Sequence, residues 1–292
     1  IVKNYTGDRL NFGLAAERAR AFGLNVSMVI VGDDIALPDL PQARGVAGTL
    51  FVHKIAGALA ERGADLDAVT VAAKRVIAGT RSIGMSLDTC RVPGSPKEDR
   101  IPEGKAELGL GIHGEAGVEQ IDFAGARASV ATMVERLAAV MGEGPHVALI
   151  NNLGGTSVLE MSVLAHDLLG SSVGAKITHA IGPAPLMTSL DMQGFSISVL
   201  AADAAELELL KAPVAIPAWP GVCEVRPIAV AAMPDGLTPI SPMPSGHAAT
   251  RAFLVNCCNV LIAAEQDLNA LDAKSGDGDT GSTLAGAARA LT

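Results

Sequence analysis

IVKNYTGDRLNFGLAAERARAFGLNVSMVIVGDD, residues 1–34, decides the fold. Ile1 and Val2 close a strand, and residues 3–8 (KNYTGD) carry the Tyr, Thr, Gly and Asp of a loop. Residues 11–23 predict a helix that stops at its glycine, and residues 26–31 (VSMVIV) predict a buried strand ending at Gly32-Asp33-Asp34. A strand, loop, helix, strand order implies a parallel sheet with a functional loop beyond the strand's carboxyl end. Asp8 stands in that loop. Asp33 and Asp34 occupy a similar turn and are read as solvated.

Outward from this unit, residues 45–63 and 66–79 predict a helical pair, each ending on a glycine. Residues 92–103 hold three prolines and several charges and predict a solvated connection. Beyond it, residues 106–112 predict a strand, 126–141 a helix with Val130, Met133, Val134 and Leu137 on one face, and 147–150 a strand running into NNLGGT. Residues 157–169 predict a helix, and TSLDMQG (188–194) leads into a strand at 195–200. Six prolines between Trp219 and Ser245 mark a linker. Residues 246–265 predict an amphipathic helix, followed by LDAKSGDGDTGST and the start of another helix at Ser282. The expected organisation is α/β: a first unit at 1–91, a second at 92–219, a proline-rich linker at 220–245 and the start of an all-α domain at 246–292.

The 292 residues carry a net charge of -9 and no Lys/Arg-rich run, which argues against a nucleic-acid or anionic-membrane partner. No apolar run reaches the length of a membrane span. The four cysteines lack CxxC spacing and read as reduced thiols; the adjacent Cys257 and Cys258 are expected as small buried residues. The chain starts at Ile1 and stops inside a predicted helix, so a fragment is expected.

The chemistry concentrates in two stretches. In ELGLGIHGEAG (107–117) the glycines beside His113 leave its ring uncrowded. With an ordinary pKa near 6.5, roughly three quarters of such rings are neutral at pH 7 and able to attack a carbonyl carbon. A satisfied structural histidine is the alternative; Glu115 either orients the ring or is solvated. The stretch also matches GxGxxG, but no helix follows directly and no acid follows at the required distance, which argues against a dinucleotide site. The other histidines form no HxxxH or HExxH pair. In the second stretch, Asp272, Asp277 and Asp279 crowd three carboxylates into eight residues. Their repulsion is relieved by solvent, by protonation or by a hard cation such as Mg²⁺. The following helix start at Gly281, Ser282 and Thr283 offers N–H groups that favour phosphate. There is no GxxxxGK[ST]. Asp8 is a candidate general base or a helix cap, and Lys3 a candidate charge partner or a solvated residue.

Taken in order, KNYTGD, GLGIHGEAG, NNLGG, TSLDMQGFS and LDAKSGDGDTG resemble dihydroxyacetone kinases, most of all the single-chain, ATP-dependent branch. The resemblance implies a ketone-binding kinase domain joined to a helical Mg-ATP domain, in a cytoplasmic homodimer. It implies that His113 forms a hemiaminal with dihydroxyacetone, that Asp8 acts on the substrate hydroxyl and that Lys3 contacts substrate. It implies further that Asp272, Asp277 and Asp279 hold magnesium and that Asp279, Thr280, Gly281 and Ser282 contact phosphate. A non-catalytic ketone-binding module and a lyase that cyclises flavin dinucleotide with the same metal loop remain as alternatives.

Overall fold

A computed structural model describes residues 1–36, 43–109, 117–226, 231–234, 236–237, 241 and 243–292. The chain divides into one unit over Ile1–Ile228 and another over Ala229–Thr292.

In the first unit β1 (Val2–Lys3), α1 (Thr6–Ala21) and β2 (Ile30–Val31) form the expected strand–helix–strand, with β1 and β2 parallel. The helix starts five residues earlier than its apolar spacing suggested, which puts Asp8 in its first turn, where a carboxylate opposes the helix dipole favourably. Next come α2 (Thr49–Glu61), α3 (Leu66–Gly79), β3 (Thr80–Ser86), β4 (Lys105–Leu108) and β5 (Glu119–Asp122). They are followed by α4 (Ala126–Ala138), β6 (His146–Asn152), α5 (Val158–Leu169), β7 (Ile177–Ala184), β8 (Gly194–Leu200), α6 (Ala204–Lys211) and β9 (Cys223–Glu224). Capping is local and strong: Asp65 accepts from the Ala68 N–H, and Ser157 with Glu160, and Asp203 with Glu206, form capping boxes.

Seven strands form one sheet in the order β5-β4-β3-β8-β6-β7-β9. β3 and β8 pair along their full lengths, Thr80 opposite Leu200 to Ser86 opposite Gly194, so the connection at 92–103 does not separate two sheets. Residues before and after it share one. The strand at 80–86 follows directly on the helix that ends at Gly79, and TRSIGMS has only Thr80 and Ile83 as β-branched residues and a glycine in its middle, which weakens its strand signal. The sheet is mixed, one of the two forms expected for these α/β units. β6 and β7 run parallel, but β8 lies antiparallel between β3 and β6, because the helix-free link at 185–193 reverses the chain. β9 pairs with β7 inside the stretch expected as linker, so residues 223–224 belong to the sheet.

Both faces of the sheet are covered. Ala148 and Ile150 of β6 join Phe195, Ile197 and Val199 of β8 under Val130, Met133, Leu137, Met161 and Leu168 from α4 and α5. Val147 and Leu149 point the other way, against Phe51, Val52, Ile55, Val76 and Leu210 from α2, α3 and α6.

The second unit contains α7 (Ala248–Ala263), α8 (Glu265–Asp272) and α9 (Thr280–Leu291), with Ala285 and Ala288 of α9 buried. Cys257 and Cys258 are half-buried, and all four cysteines are unpaired. No single helix among the described residues is long and apolar enough to cross a membrane.

Candidate active site

β1, β2 and β3 run the same way, the last joined to the β2 extension by a parallel bridge between Asp34 and Ser82. Their carboxyl ends therefore share an edge, the position where α/β sheets bind ligands. Lys3 ends β1 with its Nζ 5.5 Å from the centroid of the Tyr5 ring, a cation–π distance. Asp8 is half-buried one helical turn further on. His113 and Glu115 lie outside the described residues.

Asp33 and Asp34 are not solvated, as the turn composition suggested, but 2% and 4% exposed. Residues 43–48 return over the turn and cover it. Asp33 accepts from the Val46 N–H (2.7 Å), the Gly48 N–H (2.8 Å) and the Ser82 hydroxyl, which lies 2.7 Å from the Ser198 hydroxyl. Burial raises its pKa more than these bonds lower it. Asp34 accepts from the Ala36 N–H at 3.0 Å through Oδ1, while its buried Oδ2 has no hydrogen-bond partner among the described residues. Burial, aided by the charge of Asp33 and opposed by the Ala36 N–H and Arg44, pushes its pKa up to about 6.

The same returning segment links two of the sequence motifs. The Ala43 carbonyl accepts from Asn4 Nδ2 (2.7 Å), beside Lys3. Arg44 accepts the Asp34 N–H at its carbonyl (3.0 Å) and donates from Nη1 to the Gly109 carbonyl (3.0 Å). The end of β1 and the base of the 109–117 stretch are thus tied to adjacent residues. Gly109 is required there: its φ is 70°, and a Cβ would collide with Ala36.

NNLGG and TSLDMQG are laced to each other. Asn151, fully buried, accepts the Leu186 and Met187 N–H groups (3.1 and 2.7 Å) and donates to the Met187 carbonyl (2.8 Å). The Ser189 N–H donates to the Leu153 carbonyl (2.8 Å), the Gly155 N–H to the Met192 carbonyl (2.8 Å), and the Thr156 hydroxyl is 2.9 Å from the Gly194 carbonyl. These motifs build a rigid rim at the ends of β6 and β8.

In the second unit the carboxylates of Asp272, Asp277 and Asp279 converge, with one oxygen from each lying within 4.8 Å of the others. Asp272 Oδ2 accepts the N–H groups of Gly278, Asp279 and Thr280 at 2.9, 3.1 and 3.4 Å, and these bonds, led by that from Thr280, hold its pKa below the usual range. The charge of Asp277 raises Asp279. An all-oxygen donor set whose members repel fits a hard divalent cation. The helix start is less open than expected. The Ser282 N–H donates to Asn269 Oδ1 (3.0 Å) and the Thr283 N–H to the Asp279 carbonyl (3.0 Å). Gly281 is the point where α9 meets α8, since a Cβ would run into the Glu265 carbonyl.

The motifs and the geometry meet in a family match, to the Dak1 domain over residues 1–218. The chain belongs to the Dak1 family. It is 45% identical over its full length to a dihydroxyacetone kinase from Citrobacter freundii, of which it covers 53%, and 41% identical to a triokinase/FMN cyclase from Homo sapiens, of which it covers 54%. It therefore spans about half the length of these curated relatives. The crystal structure of the C. freundii dihydroxyacetone kinase superposes with a TM-score of 0.77 at 44% identity over 99% of this chain and 54% of that one. A Dak1 match ending at 218 leaves the carboxylate cluster outside the matched domain. The residues that sequence reasoning missed are Asp33, Arg44, Asn151 and Asn269. Only the apolar Val46-Ala47 following Arg44 hinted that this segment packs inward.

Proposed function

We propose that the chain provides the ketone-binding part and the beginning of the Mg-nucleotide part of a protein that phosphorylates dihydroxyacetone with ATP. The observation that carries this reading is the convergence of Asp272, Asp277 and Asp279 on the same chain as a Dak1 domain. Two relatives point the same way. A PTS-dependent dihydroxyacetone kinase 1, dihydroxyacetone-binding subunit from Listeria innocua aligns with 75% of the chain, whereas the C. freundii kinase, solved in complex with AMP-PNP and Mg²⁺, aligns with all of it.

In this reading a neutral His113 adds through one ring nitrogen to the ketone carbon. The carbonyl oxygen takes up a proton, the ring gives up its N–H proton, and a hemiaminal results. A polyol has no carbonyl to attack, so capture itself selects ketone over glycerol. Asp8 accepts the proton of the terminal hydroxyl as that oxygen bonds to the γ-phosphorus and the bond to the leaving diphosphate breaks. Lys3 offsets the negative charge that develops nearby. Asp272, Asp277 and Asp279 would hold Mg²⁺, which when bound neutralises phosphate charge. The turn from Asp279 through Thr280 and Gly281 to Ser282 would orient the phosphates. The reading also makes the complete protein a cytoplasmic homodimer, for which the unpaired, exposed Cys223 suits a reducing compartment.

Crystals of the complete protein soaked with dihydroxyacetone test the nucleophile. His113→Ala is expected to abolish the covalent adduct, and an adduct that persists removes His113 from this role. A second reading, cyclisation of flavin dinucleotide, is favoured by the triokinase/FMN cyclase relatives from Homo sapiens and Bos taurus, 41% and 42% identical. Incubating the complete protein with FAD and Mn²⁺ and looking for cyclic FMN decides it.

A further inference from the structure

A helix leaves its first N–H groups without partners, and an Asp, Asn, Ser or Thr at the N-cap ordinarily takes up that of the second or third residue through its side chain. Asp279 holds the N-cap position of α9 but makes no such bond. Its backbone, at a φ of -115° and a ψ of -4°, also lies outside the extended region usual for a capping residue. The N–H at the third position, that of Ser282, goes instead to Asn269 of α8, whose Oδ1 accepts it at 3.0 Å while Nδ2 donates to the Ser282 hydroxyl at 3.0 Å. One turn further along the same face of α8, Asp272 Oδ2 accepts the Thr280 N–H at 3.4 Å, together with those of Gly278 and Asp279. The start of α9 is thus capped from the neighbouring helix.

The close approach that this arrangement needs is built into the two helices. Gly281 is buried, and a Cβ there would run into the Glu265 carbonyl and stand 2.7 Å from Asn269 Oδ1. One turn before Asn269, the Glu265 side chain pairs with Arg289 of α9. The consequence falls on Asp279. A carboxylate that caps its own helix turns back onto the backbone and shares its oxygen with an N–H, so it serves a cation less well. Relieved of that duty, the Asp279 carboxylate converges with those of Asp272 and Asp277. We propose that Asn269 is a positioning residue for these ligands: by capping α9 in place of Asp279, it leaves the Asp279 carboxylate free to complete the site for a hard divalent cation. The inference rests on the reading of the three aspartates as Mg²⁺ ligands. Groups that orient a metal ligand without touching the metal typically set its affinity by roughly ten- to a hundredfold.

The test uses the complete protein with Asn269→Ala, Asp279→Asn and the double variant, titrated calorimetrically with Mg²⁺ alone, together with metal-free melting curves and crystal structures. In Asn269→Ala the Ser282 N–H is released and the Asp279 carboxylate is expected to turn onto it, so Mg²⁺ binding weakens about tenfold. Melting without metal should change little, because one cap replaces another. In the Asp279→Asn background the same substitution should cost less than about twofold, since both changes act on one ligand. Unchanged Mg²⁺ affinity in Asn269→Ala, when Asp279→Asn does weaken it, overturns the proposal. So does a loss of equal size in both backgrounds, or an Asp279 carboxylate that keeps its place in crystals of Asn269→Ala. Should Asn269→Ala fail to fold, Asn269→Ser, too short to reach Ser282, decides by the same criteria. Mg²⁺ binding untouched by Asp279→Asn instead refutes the reading of the carboxylates as its ligands, and the proposal falls with it. That result is distinct from a normal Asn269→Ala in a protein whose Mg²⁺ binding does need Asp279.

Discussion

Asp33 and Asp34 stand at the sheet edge with 2% and 4% of their surface exposed, while Asp277 and Asp279 stand exposed in the turn before α9. Both settings raise a carboxyl pKa, but for different reasons. Burial raises Asp33 and Asp34, and the like charge of Asp277 raises Asp279. The first kind is answered by hydrogen bonds and is deaf to added ions. The second is of the kind that a hard cation relieves. A buried carboxylate with three donors is a structural pin, as is the half-buried Asp272 with its three N–H groups, whereas the like charges of Asp277 and Asp279 remain to be offset.

The largest effect that could break this contrast is expected from Asp33→Ala. It strands the Val46 and Gly48 N–H groups and the Ser82 hydroxyl and should cost about 3–5 kcal/mol in urea unfolding. A loss below about 1 kcal/mol would mean that the segment at 43–48 is held by other contacts. Asp34→Asn comes next. The Asp34 carboxyl ionises near 3.8 when unfolded and about 6 when folded, so its burial destabilises the fold progressively as pH climbs through that window and by a constant amount above it. The full penalty is about 3 kcal/mol. Stability measured from pH 4 to 7 should therefore fall less steeply in the variant, and an unchanged slope would place the proton elsewhere.

At the other cluster, Asp277→Asn is expected to weaken Mg²⁺ binding by at least about tenfold in calorimetry on the complete protein, while ketone capture is kept. Equal loss of both would end the division of labour between the units. The smallest effect belongs to Lys97→Ala, which removes surface ion pairs with Asp88 and Asp191 and should cost about 0.5 kcal/mol.

Much of the local structure was legible in the chain. α3 matches its expected bounds at 66–79, and α5 starts where Ser157 and Glu160 form a capping box, because such signals act within a few residues. The carboxylate cluster was legible for the same reason: its members lie within eight residues and fold back on one turn. The strand at 80–86 was not, since its buried serines and Gly84 are explained only by β8 beside it. Nor was Arg44, an unremarkable arginine in sequence, whose partner Gly109 lies 65 residues away.

The sequence by itself determined where the chain turns and caps, which apolar faces need covering and where carboxylates and glycines gather, because these follow from spacing along a few turns of backbone. The tertiary structure alone decided that β8 slips between β3 and β6, that Asp33 is buried rather than wet, and that Arg44 reaches the base of the His113 stretch. Each of these depends on which distant segments compete for one sheet edge and for the space above it, and local periodicity carries no record of that competition.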